Sequence, residues 1–180
     1  RVQRQRGGRG GPGGASRAAL GWMLNGARKR IWVTAGYFGP NVPLLIALQL
    51  AGARGVDVRM LVAGKSDHPM LVNVGRSYYE ELLRYGVKIY EEEAGINHDK
   101  VALIDKEWLM VGSANLDVRS MRLNFELNAL VRDPATAADL ERVLSGDFAT
   151  SNHIVAEEFA QRSRGQRWKE SLVRPLAPLP

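Results

Sequence analysis

The stretch from His98 to Asn115 constrains this chain more than any other. It spaces a histidine, a lysine, an aspartate and a Gly-Ser-x-Asn run as H-x-K-x4-D-x6-G-S-x-N, without interruption. Val101-Ala102-Leu103-Ile104, inside the spacing, is a short apolar run that predicts a strand. Trp108-Leu109-Met110-Val111 predicts its partner after a turn at Lys106-Glu107. Such a pair delivers His98, Lys100, Ser113 and Asn115 to one end of a sheet.

The residue types suit one chemistry. Alternation puts His98 and Lys100 on one strand face, about 7 Å apart. An imidazole attacks phosphorus or moves a proton near neutral pH, and an ammonium beside it is a compact charge for a phosphate oxygen. Ser113 and Asn115 offer small neutral groups for the oxygens of a phosphoryl transition state. Glu126 lies on a third predicted strand, Asn124 to Val131, where a carboxylate can take a hydrogen bond from His98 and set its tautomer. Asp105 reads equally as a catalytic group or as a structural one that holds the turn or a backbone amide. Arg119 and Arg122 read equally as phosphate contacts or solvated charges.

The spacing resembles the signature of the phospholipase D superfamily. The surrounding text, GSANLDVRSMRLNFELN, resembles the second catalytic half of a bacterial cardiolipin synthase, and the similarity runs over roughly residues 28–180. It departs at Gly36, where the family carries a proline before Tyr37-Phe38. The resemblance implies a phospholipase D-like mixed β-sheet flanked by helices on both faces, one half of a two-half pseudo-symmetric enzyme. The second half would lie upstream in the same chain or in a homodimer. It further implies transfer of a phosphatidyl group between phosphatidylglycerol molecules through a phosphohistidine, with no metal or other cofactor. His98 would then be nucleophile or general acid/base, Lys100 and Asn115 phosphate ligands, Ser113 a support for phosphate or turn, and Glu126 the partner of His98. The implied partners are phosphatidylglycerol or another anionic phospholipid and a membrane surface. The implied location is peripheral, on the cytoplasmic face of a bacterial cell membrane. A hydrolytic relative, acting on lipid or as a dimeric nuclease on nucleic acid, is the alternative. A third possibility is non-enzymatic binding of anionic lipid or nucleic acid through residues 1–30.

The 180 residues suffice for one domain with a sizeable core, at 45% hydrophobic and 24% charged. There is no cysteine, which excludes disulfides, thiol nucleophiles and thiolate metal sites. His68, His98 and His153 have no metal-ligand spacing, so no structural zinc is expected. The net charge is +6, but residues 1–30 hold eight basic side chains and no acid, which leaves the remainder at −2. Global charge therefore does not carry a nucleic-acid reading. No run of residues is apolar enough to span a bilayer, and no signal-peptide pattern is present. The chain does not begin with Met, as expected of a fragment, a processed product or a trimmed chain.

Residues 1–15 are Arg/Gly-rich and read as a disordered linker or tail, with the catalytic domain over 16–180. Ser16 is expected to cap a helix over Arg17 to Arg28, and Asn41 one over Val42 to Ala53 that is apolar nearly all round and so buried. Strands are expected at Ile31 to Thr34, Val56 to Val62 and Val87 to Tyr90, with a loop at Lys65, Asp67 and His68 beside the site. One helix is expected over Met70 to Tyr85, with Tyr78-Tyr79 half core and half surface. Further helices are expected from Asp133-Pro134 to Phe148, with an Ala137, Leu140, Val143, Leu144 stripe, and over Ile154 to Gln161. A basic stretch and an open, Pro-rich tail follow.

Overall fold

A computed structural model describes residues 2–3, 14–66, 68–93 and 98–176. In chain order the elements are β1 (Val2–Gln3), α1 (Gly14–Gly26), β2 (Arg30–Ala35), β3 (Phe38–Gly39), α2 (Val42–Ala53), β4 (Asp57–Ala63), α3 (Pro69–Arg76), α4 (Tyr79–Arg84), β5 (Lys88–Glu92), β6 (Val101–Ile104), β7 (Trp108–Gly112), β8 (Leu116–Asp117), α5 (Val118–Arg122), β9 (Asn128–Arg132), α6 (Pro134–Thr150), β10 (Asn152–Ile154), α7 (Ala156–Ala160) and α8 (Arg164–Val173).

The expected mixed α/β architecture is present. Eight strands form one sheet in the order β1-β9-β7-β6-β2-β4-β5-β10. β2, β4 and β5 run parallel, joined by helices, while β6, β7 and β9 pair antiparallel. Alternation divides the strands between two cores. Ile31, Val33, Val58, Met60, Ala102 and Ile104 face the larger core, under α1 to α4. Trp32, Leu61, Leu103 and Leu109 face the smaller one, covered by Ala137, Leu144 and Phe148 of α6.

Several local expectations give way to tertiary contacts. Ser16 is not a cap: it lies inside α1, buried, and its hydroxyl accepts Asn128 Nδ2 at 2.7 Å. The helix over 70–85 is two, because the Ser77 hydroxyl donates to Val74 O at 2.6 Å and the Tyr78 N–H takes Gly75 O, which tightens the turn and ends α3. Both Tyr78 and Tyr79 are buried. Ile154 joins the sheet edge opposite Ile89 instead of opening a helix, and α7 starts after it. Val143, expected in the stripe, points to solvent, and Phe148, which was not expected there, packs beside Ala137, Leu140 and Leu144. α2 has its expected bounds, with Asn41 Oδ1 accepting Leu44 N–H at 2.9 Å, yet it is buried on one side only. Val42, Ile46 and Leu50 remain exposed at a spacing of four.

Of the Arg/Gly-rich start, Val2–Gln3 pair with β9 and Gly14-Ala15 belong to α1. The remainder of that segment, Asp67, 94–97 and the last four residues of the tail lie outside the described residues.

Candidate functional site

β2, β6, β7 and β9 are neighbours in the sheet, and the motif, apart from Asp105, gathers at one end of them. Val101 N–H donates to Thr34 Oγ1 at 3.1 Å, which ties the start of β6 to the end of β2. The Gly112 N–H takes Lys100 O at 3.2 Å, which sets the end of β7 beside Lys100. Ser113 N–H then takes Leu127 O at 3.1 Å, and Leu127 N–H takes Ser113 Oγ at 3.0 Å. These bonds gather Lys100, just before β6, Ser113, just after β7, and Glu126, just before β9, at one end of three adjacent strands.

Gly112 is required at this junction. A Cβ there would collide with Leu127 O and with the Asn128 side chain and backbone. Asn128 holds the next residue too, its Oδ1 accepting Ala114 N–H at 3.4 Å while its amide reaches Ser16.

Glu126 is buried, yet it precedes β9 and does not lie on it, a correction to the expected strand from Asn124. Its carboxylate accepts the Ser113 hydroxyl and, at 3.3 Å, Asn124 Nδ2. Its described partners are therefore Ser113 and Asn124, where His98 was expected. Segment 123–127 alternates: Asn124 and Glu126 turn inward, while Leu123, Phe125 and Leu127 are exposed, Phe125 at 78%.

His98 is exposed, its ring edge-on to Tyr37 with centroids 6.2 Å apart. Tyr37 reaches the site because Phe38–Gly39 pair in parallel with Leu116–Asp117, an arrangement no local pattern of two-residue strands reveals. Lys100 Nζ donates to His98 O. Burial pulls the Lys100 pKa below its ordinary value, opposed by Asp99, Glu126 and Asp117. Asp117 caps α5, accepting Ser120 N–H at 2.7 Å, and burial raises its pKa. The side-chain oxygen of Asn115 is enclosed and finds no hydrogen-bond donor among the described residues.

Asp105 stands apart. It follows β6 at the opposite end from Lys100, roughly 16 Å along the strand. Its carboxylate accepts the N–H groups of Arg28, Lys29 and Arg30, at 3.2, 2.8 and 3.1 Å to Oδ1. Of the two readings open for Asp105, these contacts fit the structural one: it clamps the entry to β2, in the left-handed conformation (φ 53°) that aspartate tolerates. Arg119 is exposed, and the side chain of Arg122 lies outside the described residues. Lys65 Nζ donates to Glu93 O at 3.3 Å. Among the described residues no group of three or more His, Asp or Glu side chains could hold a metal ion.

The family described as "Cardiolipin synthase, PLD-like domain" matches residues 21–148. Curated relatives include cardiolipin synthase 2 of Bacillus anthracis, 41% identical over 157 residues, which cover 87% of this chain and 30% of that protein. Cardiolipin synthase A of Pseudomonas aeruginosa is 39% identical over 157 residues, 87% of this chain and 32% of the relative. The chain thus spans about a third of the length of the curated relatives it matches. Among solved structures, the fold is similar to Nuc of Salmonella typhimurium, a phospholipase D family member (TM-score 0.69, 21% identity, 79% of this chain and 91% of that one). It is also similar to phosphatidylserine synthase of Haemophilus influenzae (TM-score 0.75, 14% identity, 95% of this chain and 46% of that one). At these identities the structures speak to the fold alone. The matched residues, the complete spacing and its assembly at one sheet end show that the chain belongs to the cardiolipin synthase family of phospholipase D-like domains.

Proposed function

We propose that this chain supplies one His–Lys half of a phosphatidyl-transfer site of the cardiolipin synthase type. The observation that carries the proposal is the convergence of His98, Lys100, Ser113, Asn115 and Glu126 on one end of the sheet within a family of that description. An imidazole exposed beside a partly buried ammonium suits attack on a phosphodiester or protonation of its leaving alcohol. Lys100 and Asn115 serve the phosphate oxygens. Ser113 and Glu126 hold each other, and Glu126, with Asp99 and Asp117, opposes the burial that lowers the Lys100 pKa. In the transfer, the His98 nitrogen or its counterpart attacks phosphorus and glycerol leaves with a proton from the opposite group. A second phosphatidylglycerol hydroxyl then returns a proton to that group as its oxygen bonds phosphorus and the histidine–phosphorus bond breaks.

The sequence contains a single copy of the motif, so the second His–Lys pair comes from another phospholipase D-like half. The exposed Leu123, Phe125 and Leu127, back to back with inward Asn124 and Glu126, support a seat for it at the site rim. The substrate is phosphatidylglycerol or another anionic phospholipid at a membrane surface.

The test is incubation with labelled phosphatidylglycerol vesicles, beside His98→Ala, with the solution mass known. Cardiolipin made by a dimer and lost in the variant supports the reading. A dimer that cuts nucleic acid and makes no lipid product overturns it. A monomer is tested with a complementing half added.

A further inference from the structure

The helix α8 has two unlike faces. Its inner face is fully engaged. Glu170, 2% exposed, accepts Arg162 Nε at 2.8 Å and Gln166 Nε2 at 3.1 Å, and Gln166 also reaches Asn73 of α3 at 3.0 Å. Arg174, just past the helix, pairs with Glu81 at 2.6 Å. The helix is thus pinned to the body, against α3, by polar bonds.

Its outer face is not covered by any of the described residues. Arg164, Trp168 and Leu172 fall at a spacing of four on one line. Trp168 is 68% exposed and Leu172 67%. By helical rotation Arg167 and Lys169 lie on either shoulder of that line. No ion pair to a described carboxylate engages Arg164, Arg167 or Lys169. A protein interface would desolvate these cations at a cost, whereas a membrane interface places Trp at the headgroup level and lets long basic chains reach anionic headgroups. Among the described residues no helix is long and apolar enough to cross a membrane, so attachment by this element would be in the plane of the surface.

We propose that α8 is an interfacial membrane-docking helix, with Trp168 and Leu172 entering the headgroup–acyl boundary and Arg164, Arg167 and Lys169 contacting anionic phospholipid. The site differs from the catalytic one and does not depend on which reaction the domain performs. It adds a binding element carried by a chain segment beyond the family match at residues 21–148.

The chain has no cysteine, so Leu172→Cys accepts a single environment-sensitive fluorophore. Added to vesicles of equal parts phosphatidylglycerol and phosphatidylcholine, the labelled full chain is expected to show a blue shift that weakens in high salt. Pure phosphatidylcholine vesicles are expected to give much less. In co-sedimentation, Trp168→Asp is expected to weaken partitioning by about tenfold or more, while Trp168→Phe keeps most of it. Circular dichroism and unfolding midpoint of Trp168→Asp should match the parent, since the side chain is exposed. Undiminished binding by Trp168→Asp overturns the proposal and points to the Arg-rich start or another surface. A blue shift that grows with protein concentration without vesicles also overturns it, because a second copy then covers the face. Activity on detergent-dispersed phosphatidylglycerol separates this outcome from failure of the transferase reading.

Discussion

The Ser113 hydroxyl donates to the Glu126 carboxylate and accepts the Leu127 N–H at 3.0 Å, so one small side chain joins the end of β7 to the start of β9. Two residues separated by thirteen positions thereby hold a buried carboxylate near Lys100. Ser113→Ala is expected to cost about 1–3 kcal/mol, because it strips a donor from a buried carboxylate and an acceptor from a backbone amide. Denaturant unfolding gives the stability, and turnover on labelled phosphatidylglycerol should fall in the same variant. An unchanged midpoint would show that the bond contributes nothing.

Asp105 holds the entry to β2 through three backbone N–H groups, so its removal should separate stability from chemistry. Asp105→Ala abandons three backbone N–H groups and puts alanine at a positive φ. A loss of about 2–4 kcal/mol is expected, with activity per folded molecule little changed below the new midpoint. Asp105→Asn, which tolerates that φ and keeps one acceptor oxygen, should lose less. Loss of turnover at full foldedness would return Asp105 to the catalytic group.

Lys100 carries a pH signature. Its pKa is lowered in the folded state, so the folded chain binds this proton less tightly than the unfolded chain does. The cost of holding the ammonium is fully present below the folded pKa. It fades as pH rises through that value toward the ordinary 10.5. Lys100→Met should therefore be no less stable than the parent near neutral pH while losing phosphate binding and turnover. Any advantage of the variant should shrink as pH climbs. Unfolding curves of both proteins across the alkaline range decide this.

Glu91, 1% exposed, is held by Arg76 through two bonds of 2.8 and 2.6 Å and by the Tyr79 hydroxyl at 3.0 Å. Burial and the Glu91 charge push the Tyr79 pKa well up, and the carboxylate raises that of Arg76 despite its burial. Arg76→Ala leaves an unpaired buried carboxylate, at an expected cost of about 3–5 kcal/mol. Arg76→Ala combined with Glu91→Gln should recover much of the loss. A double variant no more stable than Arg76→Ala would assign the cost to lost packing.

Gly112→Ala should be among the most damaging single-methyl additions, because backbone atoms of Leu127 and Asn128 occupy the space. The comparison is Gly146→Ala on α6, where nothing lies within 4 Å and a helix interior favours alanine. The first should lower the unfolding midpoint by several degrees and the second should leave or raise it.

Much of the fold was legible before any coordinates. Strands β2, β4, β5, β6 and β7 follow apolar runs, and α2 and α6 follow their Asn41 and Asp133 caps, because those signals are local. The misreadings sit where distant residues outvote local ones. Ser16 looks like a cap until Asn128 occupies its hydroxyl. Ile154 looks helical until β5 offers an edge.

What the sequence determined by itself is the spacing of His98, Lys100, Ser113 and Asn115, since strand alternation and a short turn suffice to gather them. Only the tertiary structure decided that Asp105 clamps Arg28 to Arg30, that Tyr37 faces His98, and that Glu126 answers to Ser113 and Asn124. Those relations depend on strands far apart in the chain meeting in register. Side-chain bonds across such a meeting have no periodicity for a sequence to display.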